Sequence, residues 1–120
     1  MNGGNEGTRE PLSGMDAAML QLETPVNLMV INGVIILGAP IAFDDLRAVI
    51  RDRLLAITRF RQRLAPVAGP LSTPYWEDDP SFDIDNHVHR LALPPPAGQE
   101  ALQGLVSELT SMPLDRSLPL

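Results

Sequence analysis

The sequence predicts an α+β fold, in which amphipathic helices and short strands alternate along one domain. Apolar residues recur at spacings of three and four over 46–57 and over 102–109, as they do on one face of a helix. β-branched residues dominate Met29–Leu37, and side chains of two kinds alternate over Phe60–Val67, which are strand patterns. The resulting order is helix, strand, helix, hairpin, strand, helix, with no internal repeat, and this order is typical of the α+β class.

Composition limits the function classes. At 120 residues the chain has the size of one domain, which buries about two thirds of its unfolded surface. The net charge is −6, and all nine basic residues are Arg, so non-specific nucleic-acid binding has little support. The chain has no Cys, which excludes disulfides, thiol catalysis and thiolate metal sites within it. We expect no bound metal or cofactor, and a cytoplasmic location by default.

The first predicted helix begins after a polar N-terminal lead-in. Residues 1–10 are rich in Gly, Asn and Glu and lack the basic and apolar regions of a signal peptide, so we expect them to be disordered. Ser13 is placed to cap a helix, with Asp16 three residues later. The short apolar face that follows ends before Pro25.

The next element is a predicted central strand at Met29–Leu37. Its apolar run is almost continuous, which is typical of a strand buried on both faces, and Gly33 within it indicates a bulge or a close backbone approach. The surrounding segment, Leu28–Phe43, has 16 residues and includes Pro40. It is shorter than the roughly 20 apolar residues of a membrane-spanning helix, so we interpret it as a buried strand.

A second helix and a hairpin follow. Asp44 or Asp45 is placed to cap a helix whose apolar positions continue to Ile57. The strand at Phe60–Val67 then leads through a Gly- and Pro-containing loop to a returning strand at Tyr75–Asp78.

The last third of the chain predicts one strand and one helix. Phe82–Leu93 alternates in two halves that are out of phase by one residue, and a bulge near His89 would reconcile them. The helix predicted at Glu100–Met112 presents Leu and Val on one face and is stopped by Pro113. Gly104 within it costs about 1 kcal/mol relative to Ala.

Three groups of residues have both a chemical and a structural interpretation. His87 and His89 would share a strand face, where they could serve as a catalytic base or bind a metal with Asp83 and Asp85; we favour hydrogen bonds to the backbone. Ser13 has no neighbouring base and no Gly-x-Ser-x-Gly elbow around it, so we interpret it as a helix cap rather than a nucleophile.

The third group is an arginine cluster, which could bind phosphate groups of CoA or of anionic lipids because guanidinium pairs well with phosphate. We favour pairing within the fold, because a hairpin would place several of these arginines opposite the acidic residues just downstream. The arginines are Arg47, Arg51, Arg53, Arg59, Arg61 and Arg63, and the acidic residues are Glu77, Asp78, Asp79, Asp83 and Asp85.

Several short segments resemble, in order, those of the bacterial wax ester synthase/diacylglycerol acyltransferase family. The N-terminal Pro-Leu-Ser-x-x-Asp signature and the Pro-Leu-Asp-Arg-Ser stretch near the end are the most characteristic, and the resemblance covers about residues 11–120. The matching segments are Pro11–Asp16, Leu22–Pro25, Arg59–Leu64, Trp76–Asp83, His87–Val88, Pro113–Ser117 and Pro119–Leu120.

The resemblance implies a two-lobed fold of the CoA-dependent, chloramphenicol acetyltransferase type, of which residues 11–120 would be an incomplete N-terminal part. It implies acyl-CoA and diacylglycerol or a fatty alcohol as substrates, and it leaves room for peripheral association with membranes or lipid droplets. From the charge composition we expect no nucleic-acid partner. The Met side chains of the first helix and strand, Met15, Met19 and Met29, could line a flexible acyl-chain passage, but we favour ordinary filling of the core. The signature residues are expected to be mainly structural, and we assign none of them as catalytic: Pro11, Leu12, Ser13, Asp16, Pro113, Leu114 and Asp115.

The family's catalytic His-His-x-x-x-Asp-Gly motif does not occur in these 120 residues. In the family a His of this motif serves as general base, so we expect this chain to be inactive alone. The alternatives are a non-catalytic interaction module and a truncated gene product. We also expect the apolar segment Met29–Leu37 to remain largely exposed in the isolated chain, which favours self-association.

Overall fold

A small antiparallel sheet joins the beginning of the chain to its middle. The computed structural model describes residues 9–69 and 71–119. Three strands form the sheet in the order β1-β3-β2, with Pro11 opposite Tyr75 and Arg63 opposite Glu77. The strands are β1 (Glu10–Pro11), β2 (Gln62–Leu64) and β3 (Tyr75–Asp78). The helices are α1 (Gly14–Leu22), α2 (Phe43–Val49) and α3 (Gln99–Thr110), with a π-helical turn at Ile50–Leu54 and 3₁₀ turns at Thr58–Arg61 and Ile84–Asn86.

The N-terminal helix is capped as the sequence predicts. The Ser13 hydroxyl oxygen accepts the Asp16 N–H at 3.1 Å, and the hydroxyl donates to Asp16 Oδ2 at 2.7 Å. One exposed backbone donor at the helix start is thereby satisfied. The predicted lead-in, residues 1–10, lies outside the described residues except for Arg9 and Glu10, and Glu10 already belongs to β1.

The hairpin prediction is also confirmed, with a shorter first strand. The Gln62 side chain is buried and donates to Asp78 Oδ1 at 3.0 Å, while Arg63 pairs with Glu77 across the strands at 3.1 Å. The strand begins two residues later than predicted because a 3₁₀ turn takes up 58–61.

The predicted central strand at Met29–Leu37 is wrong for the described structure. The segment forms neither helix nor strand, and its side chains face solvent, with Ile31 100% and Ile35 87% exposed. β-branched residues favour an extended backbone, but a strand also needs a neighbour to accept and donate its backbone hydrogen bonds. No strand among the described residues lies beside this segment.

The predicted strand at Phe82–Leu93 is wrong as well. The Asp83 carboxylate accepts the Asp85 N–H at 2.9 Å and starts a single 3₁₀ turn, while the Phe82 ring stacks on His87 with centroids 5.2 Å apart. Asp side chains that hydrogen-bond to the nearby backbone compete with strand pairing. The slip in the alternation therefore reflects a local turn rather than a bulge.

The two remaining helices form at the predicted positions, but the first is shorter than predicted: its α-helical part ends at Val49 and the π-helical turn that follows ends at Leu54, before Ile57. The first of these, α2, begins at Phe43, and its N-cap is Ala42, so neither Asp44 nor Asp45 is the cap. Both acidic residues lie in the first turn instead, where they interact favourably with the helix dipole. The second, α3, ends at Thr110, before Pro113.

The described residues form an open layer with little interior. Their buried apolar residues are Leu12, Ala65 and Pro119, and the Cα extents are 59 × 39 × 19 Å. The radius of gyration is 17.7 Å, whereas a compact domain of this length has about 14 Å. An α+β architecture is therefore present, but its apolar surfaces are only partly packed against one another. Among the described residues no helix combines the length and apolar character needed to span a membrane.

Candidate functional site

An apolar groove opens between α1, the sheet and the C-terminal segment. We call this cavity of about 370 Å³ the α1 groove. It lies beside one of the few buried side chains, that of Leu12, which is 8% exposed and whose N–H donates to the Pro74 carbonyl at 3.0 Å. Its apolar walls include Leu12, Met19, Met29, Leu64, Trp76 and Leu114. Its polar residues are Asp16, Glu23 and Arg116. A concave, mainly apolar site with a few polar groups is the usual form of a small-molecule pocket.

Glu23, the residue after α1, connects three parts of this groove. Its carboxylate accepts a hydrogen bond from Arg116 through one oxygen and the Met29 N–H through the other, the latter at 3.2 Å. The pKa of Glu23 is lowered, mainly by the hydrogen bond from the Arg116 guanidinium and to a smaller extent by that from the Met29 N–H. Desolvation of the carboxylate acts in the opposite direction. The carboxylate therefore remains charged where it links α1 to the segment after it and to the end of the chain.

Arg116 is presented by a tight turn. The Asp115 carboxylate accepts the Ser117 hydroxyl at 2.6 Å and the Ser117 N–H at 2.9 Å, and the Asp115 carbonyl accepts the Leu118 N–H at 3.1 Å. These bonds from Ser117 lower the pKa of Asp115. The Asp115–Leu118 turn thus fixes the backbone from which Arg116 reaches Glu23.

The two histidines line a second cavity, the histidine groove, of about 410 Å³ on the C-terminal segment. His89 Nε2 lies 3.2 Å from the Asn86 carbonyl oxygen, which is the backbone contact favoured from the sequence. His87 stacks on Phe82 instead. In the part of the chain that the structure describes, no three His, Asp or Glu side chains are grouped as metal ligands. Leu114 lines both grooves.

The structure brings together some of the signature residues. Leu12, Asp16 and Leu114 line the α1 groove, whereas Ser13 caps α1. The others lie at the edges of this arrangement, with Pro11 in β1 and with Pro113 and Asp115 in the wall of the histidine groove.

Most of the arginine cluster is paired internally, as we favoured from the sequence. Four of the six arginines contact carboxylates: Arg47 with Asp85 at 2.7 Å, Arg51 with Asp52 at 2.8 Å, Arg59 with Glu10 at 2.8 Å and Arg63 with Glu77 at 3.1 Å. Arg59 also lies over the Trp76 ring, 4.5 Å from its centroid. The paired carboxylates neutralise much of the positive charge that a phosphate-binding site would require.

The pairing of Glu23 with Arg116 was not predicted from the sequence. Both occur in segments that carry the family resemblance, Leu22–Pro25 and Pro113–Ser117, but they are 93 positions apart. Their opposite charges were the one available signal, and charge alone does not select a partner from 24 charged residues, the sum of 9 basic and 15 acidic ones.

Comparisons with known proteins agree with the family resemblance of the sequence motifs. The family model for the wax ester synthase/diacylglycerol acyltransferase catalytic domain matches residues 12–120. A Mycobacterium tuberculosis protein named as a probable diacylglycerol O-acyltransferase, tgs3, is 39% identical over 112 residues, which are 91% of this chain and 41% of that protein. A second one, tgs1, is 36% identical over 112 residues, covering 91% of this chain and 24% of that protein. No solved structure gives a significant match.

The chain spans about two fifths or less of the length of these curated relatives. The extent of the family match, which includes both signature segments except Pro11, is consistent with the predicted N-terminal part. Because the family model covers nearly the whole sequence, the chain belongs to the wax ester synthase/diacylglycerol acyltransferase catalytic domain family.

Proposed function

We propose that this chain is part of an acyl-CoA-dependent O-acyltransferase that esterifies diacylglycerol or a fatty alcohol. Residues 11–120 would contribute to the N-terminal lobe of a chloramphenicol acetyltransferase-like fold. The family match over residues 12–120 supports this function, as do relatives named diacylglycerol O-acyltransferases. The observation that carries the proposal is that signature residues from both ends of the chain, Leu12, Asp16 and Leu114, meet in one apolar groove.

The role proposed for the α1 groove is to bind the acyl chain. Its walls are aliphatic side chains, two methionines and Trp76, which suit a flexible hydrocarbon. Each methylene that an acyl chain buries contributes about 0.8 kcal/mol. In this proposal the signature residues have a structural role, which is to hold the groove walls rather than to react.

In this proposal the general base that takes the proton from the acceptor hydroxyl does not belong to these 120 residues. The sequence contains two histidines, and neither His87 nor His89 is part of a His-His-x-x-x-Asp-Gly motif. We therefore propose that these 120 residues bind acyl chains but do not transfer them alone. The protein would act in the cytoplasm, at the periphery of membranes or lipid droplets where its apolar acceptors are found.

A binding assay with a matched pair of variants tests this role. The fluorescence of Trp76, the single Trp, should change on titration with a long-chain acyl-CoA, and Met19→Asp should abolish the change. Met15→Asp is the control, because Met15 lies on the same helix but is 73% exposed and outside the groove lining. Equal responses of the two variants, or no response of the wild type, would contradict the proposal.

A turnover assay tests the absence of transfer. Purified chain is incubated with acyl-CoA and either diacylglycerol or hexadecanol, and ester formation is compared with that of a heat-killed sample. We expect no difference. Ester above the control level would refute the assignment of the base to other residues.

A second candidate function is a non-catalytic module that pairs with a separately encoded polypeptide carrying the His-His motif. The exposed apolar segment around Ile31, Ile35 and Ile36 favours it, because such patches mark association surfaces. Self-association through the same residues is part of this proposal. Co-purification with a His-His-containing polypeptide and a concentration-dependent sedimentation coefficient would support it, and a monomer that captures nothing would count against it.

A further inference from the structure

We propose that Glu23 is a positioning residue that holds together three walls of the α1 groove. The three walls are the end of α1, the segment beginning at Met29, and the Asp115–Leu118 turn. Glu23 follows α1 directly, accepts the Met29 N–H and accepts a hydrogen bond from Arg116. The proposal rests on the proposed function only in the nature of the ligand that the groove binds.

Few other contacts could hold these three walls together in place of Glu23. The segment after Met29 belongs to no sheet or helix, so the backbone contact to Glu23 is a specific point at which it is fixed. The turn that carries Arg116 is closed by its own hydrogen bonds, but those bonds do not attach it to α1. The Arg116–Glu23 contact supplies that attachment across 93 positions of sequence.

The surroundings of the carboxylate strengthen this contact. The Glu23 side chain is 16% exposed and Arg116 is 39% exposed, whereas the Arg51 and Asp52 side chains are 55% and 62% exposed. Ion pairs in solvent contribute little because water and salt screen them. Water therefore screens the Glu23 pair less than it screens the Arg51–Asp52 pair, because the Glu23 carboxylate lines the groove.

Loss of Glu23 should therefore loosen the groove without unfolding the sheet. The hairpin is held by its own ladder and by the Ala65 N–H, which donates to the Tyr75 carbonyl at 2.9 Å. None of these bonds involves Glu23. If the substitution instead lowered the stability of the whole fold, the hairpin amides would exchange faster to the same extent as those at the groove.

Amide hydrogen exchange on the 120-residue chain separates these outcomes. In Glu23→Ala the Met29 N–H loses its acceptor, and the turn containing Leu118 loses its attachment to α1 through Arg116. We therefore expect the Met29 and Leu118 amides to exchange at least about fivefold faster, and the Ala65 amide, which has no link to Glu23, to be unchanged. Asp52→Ala is the control, because it removes a carboxylate from a more exposed ion pair outside the groove. It should leave all three amides unchanged.

A charge swap tests the pairing itself. The double variant Glu23→Arg with Arg116→Glu should restore slow exchange at Leu118 but not at Met29, whose N–H would have lost its acceptor. Unchanged Met29 and Leu118 exchange in Glu23→Ala, or an equal acceleration at Ala65, would overturn the proposal.

A ligand readout keeps this proposal separate from the proposed function. If wild-type chain binds long-chain acyl-CoA, Glu23→Ala should weaken the Trp76 fluorescence response by about fivefold or more. If the wild type binds none, the proposed function fails, while the exchange results still decide the positioning role of Glu23.

Discussion

Leu12 offers the sharpest test of the packing, because the described structure has so few buried side chains. It is 8% exposed, between the sheet and α1, and it lines the α1 groove. Burying a Leu side chain contributes about 1.5–3 kcal/mol, and Leu→Ala in closed cores costs about 2–5 kcal/mol. Since the groove already opens on one side of Leu12, little new enclosed cavity is created. We expect Leu12→Ala to lower the free energy of unfolding by about 2 kcal/mol.

The measurement is a urea titration followed by Trp76 fluorescence and by far-ultraviolet circular dichroism. Trp76 lines the same groove, so its emission reports on the site of the change. With a denaturant dependence of about 2 kcal/mol per M, the midpoint should fall by about 1 M. Agreement of the two probes shows whether the transition is two-state, which the free-energy comparison requires.

The matched control is Leu71→Ala. It removes the same atoms from a side chain that is 98% exposed, so its effect should stay within about 0.5 kcal/mol. Equal effects of the two substitutions would refute the packing of Leu12 between the sheet and α1. A much larger effect of Leu71→Ala would mean that the loop after β2 is covered in solution.

Three further predictions concern a helix, a carboxylate and the hairpin. Gly104→Ala should stabilise α3 by about 1 kcal/mol, because a Cβ at this exposed interior position meets nothing within 4 Å; a lower thermal midpoint would show that this face is packed. The pKa of Glu23 is lowered from 4.5, chiefly by Arg116, so the stability it contributes is present above pH 4.5 and is lost as the pH falls through the lowered value. Glu23→Gln should remove that part of the acid sensitivity in a pH-dependent urea series, and an unchanged pH profile would contradict the role of the charge. Glu77→Gln should cost at most about 1 kcal/mol, because its partner Arg63 is partly exposed; a loss of several kcal/mol would mean that the pair is shielded from water.

Elements that depend on local interactions were predictable from the sequence. The Ser13 cap and α3 follow from hydrogen bonds and apolar spacing within a few residues, so α1 and α3 appear where expected. The hairpin was predictable because alternation and a Gly- and Pro-containing loop both point to it. The structure of Phe82–Leu93 was not predictable in this way. Alternation in a short window does not reveal that the Asp83 side chain will accept a hydrogen bond from the backbone and start a turn.

The candidate site was predictable only in part. The signature residues Leu12, Asp16 and Leu114 were selected from the sequence and do meet in the α1 groove. The Glu23–Arg116 contact was not, because it depends on how the end of the chain returns to α1.

The amino-acid sequence by itself determined the family, the α+β class and the positions of α1, α3 and the hairpin, because motifs and periodicity act over short separations. Only the tertiary structure decided whether Met29–Leu37 forms a strand. The segment has the composition of a central strand, yet it pairs with no strand among the described residues. The physical reason is that strand pairing is a property of two segments: an apolar, β-branched run specifies an extended backbone, but its hydrogen bonds and its burial depend on what lies beside it.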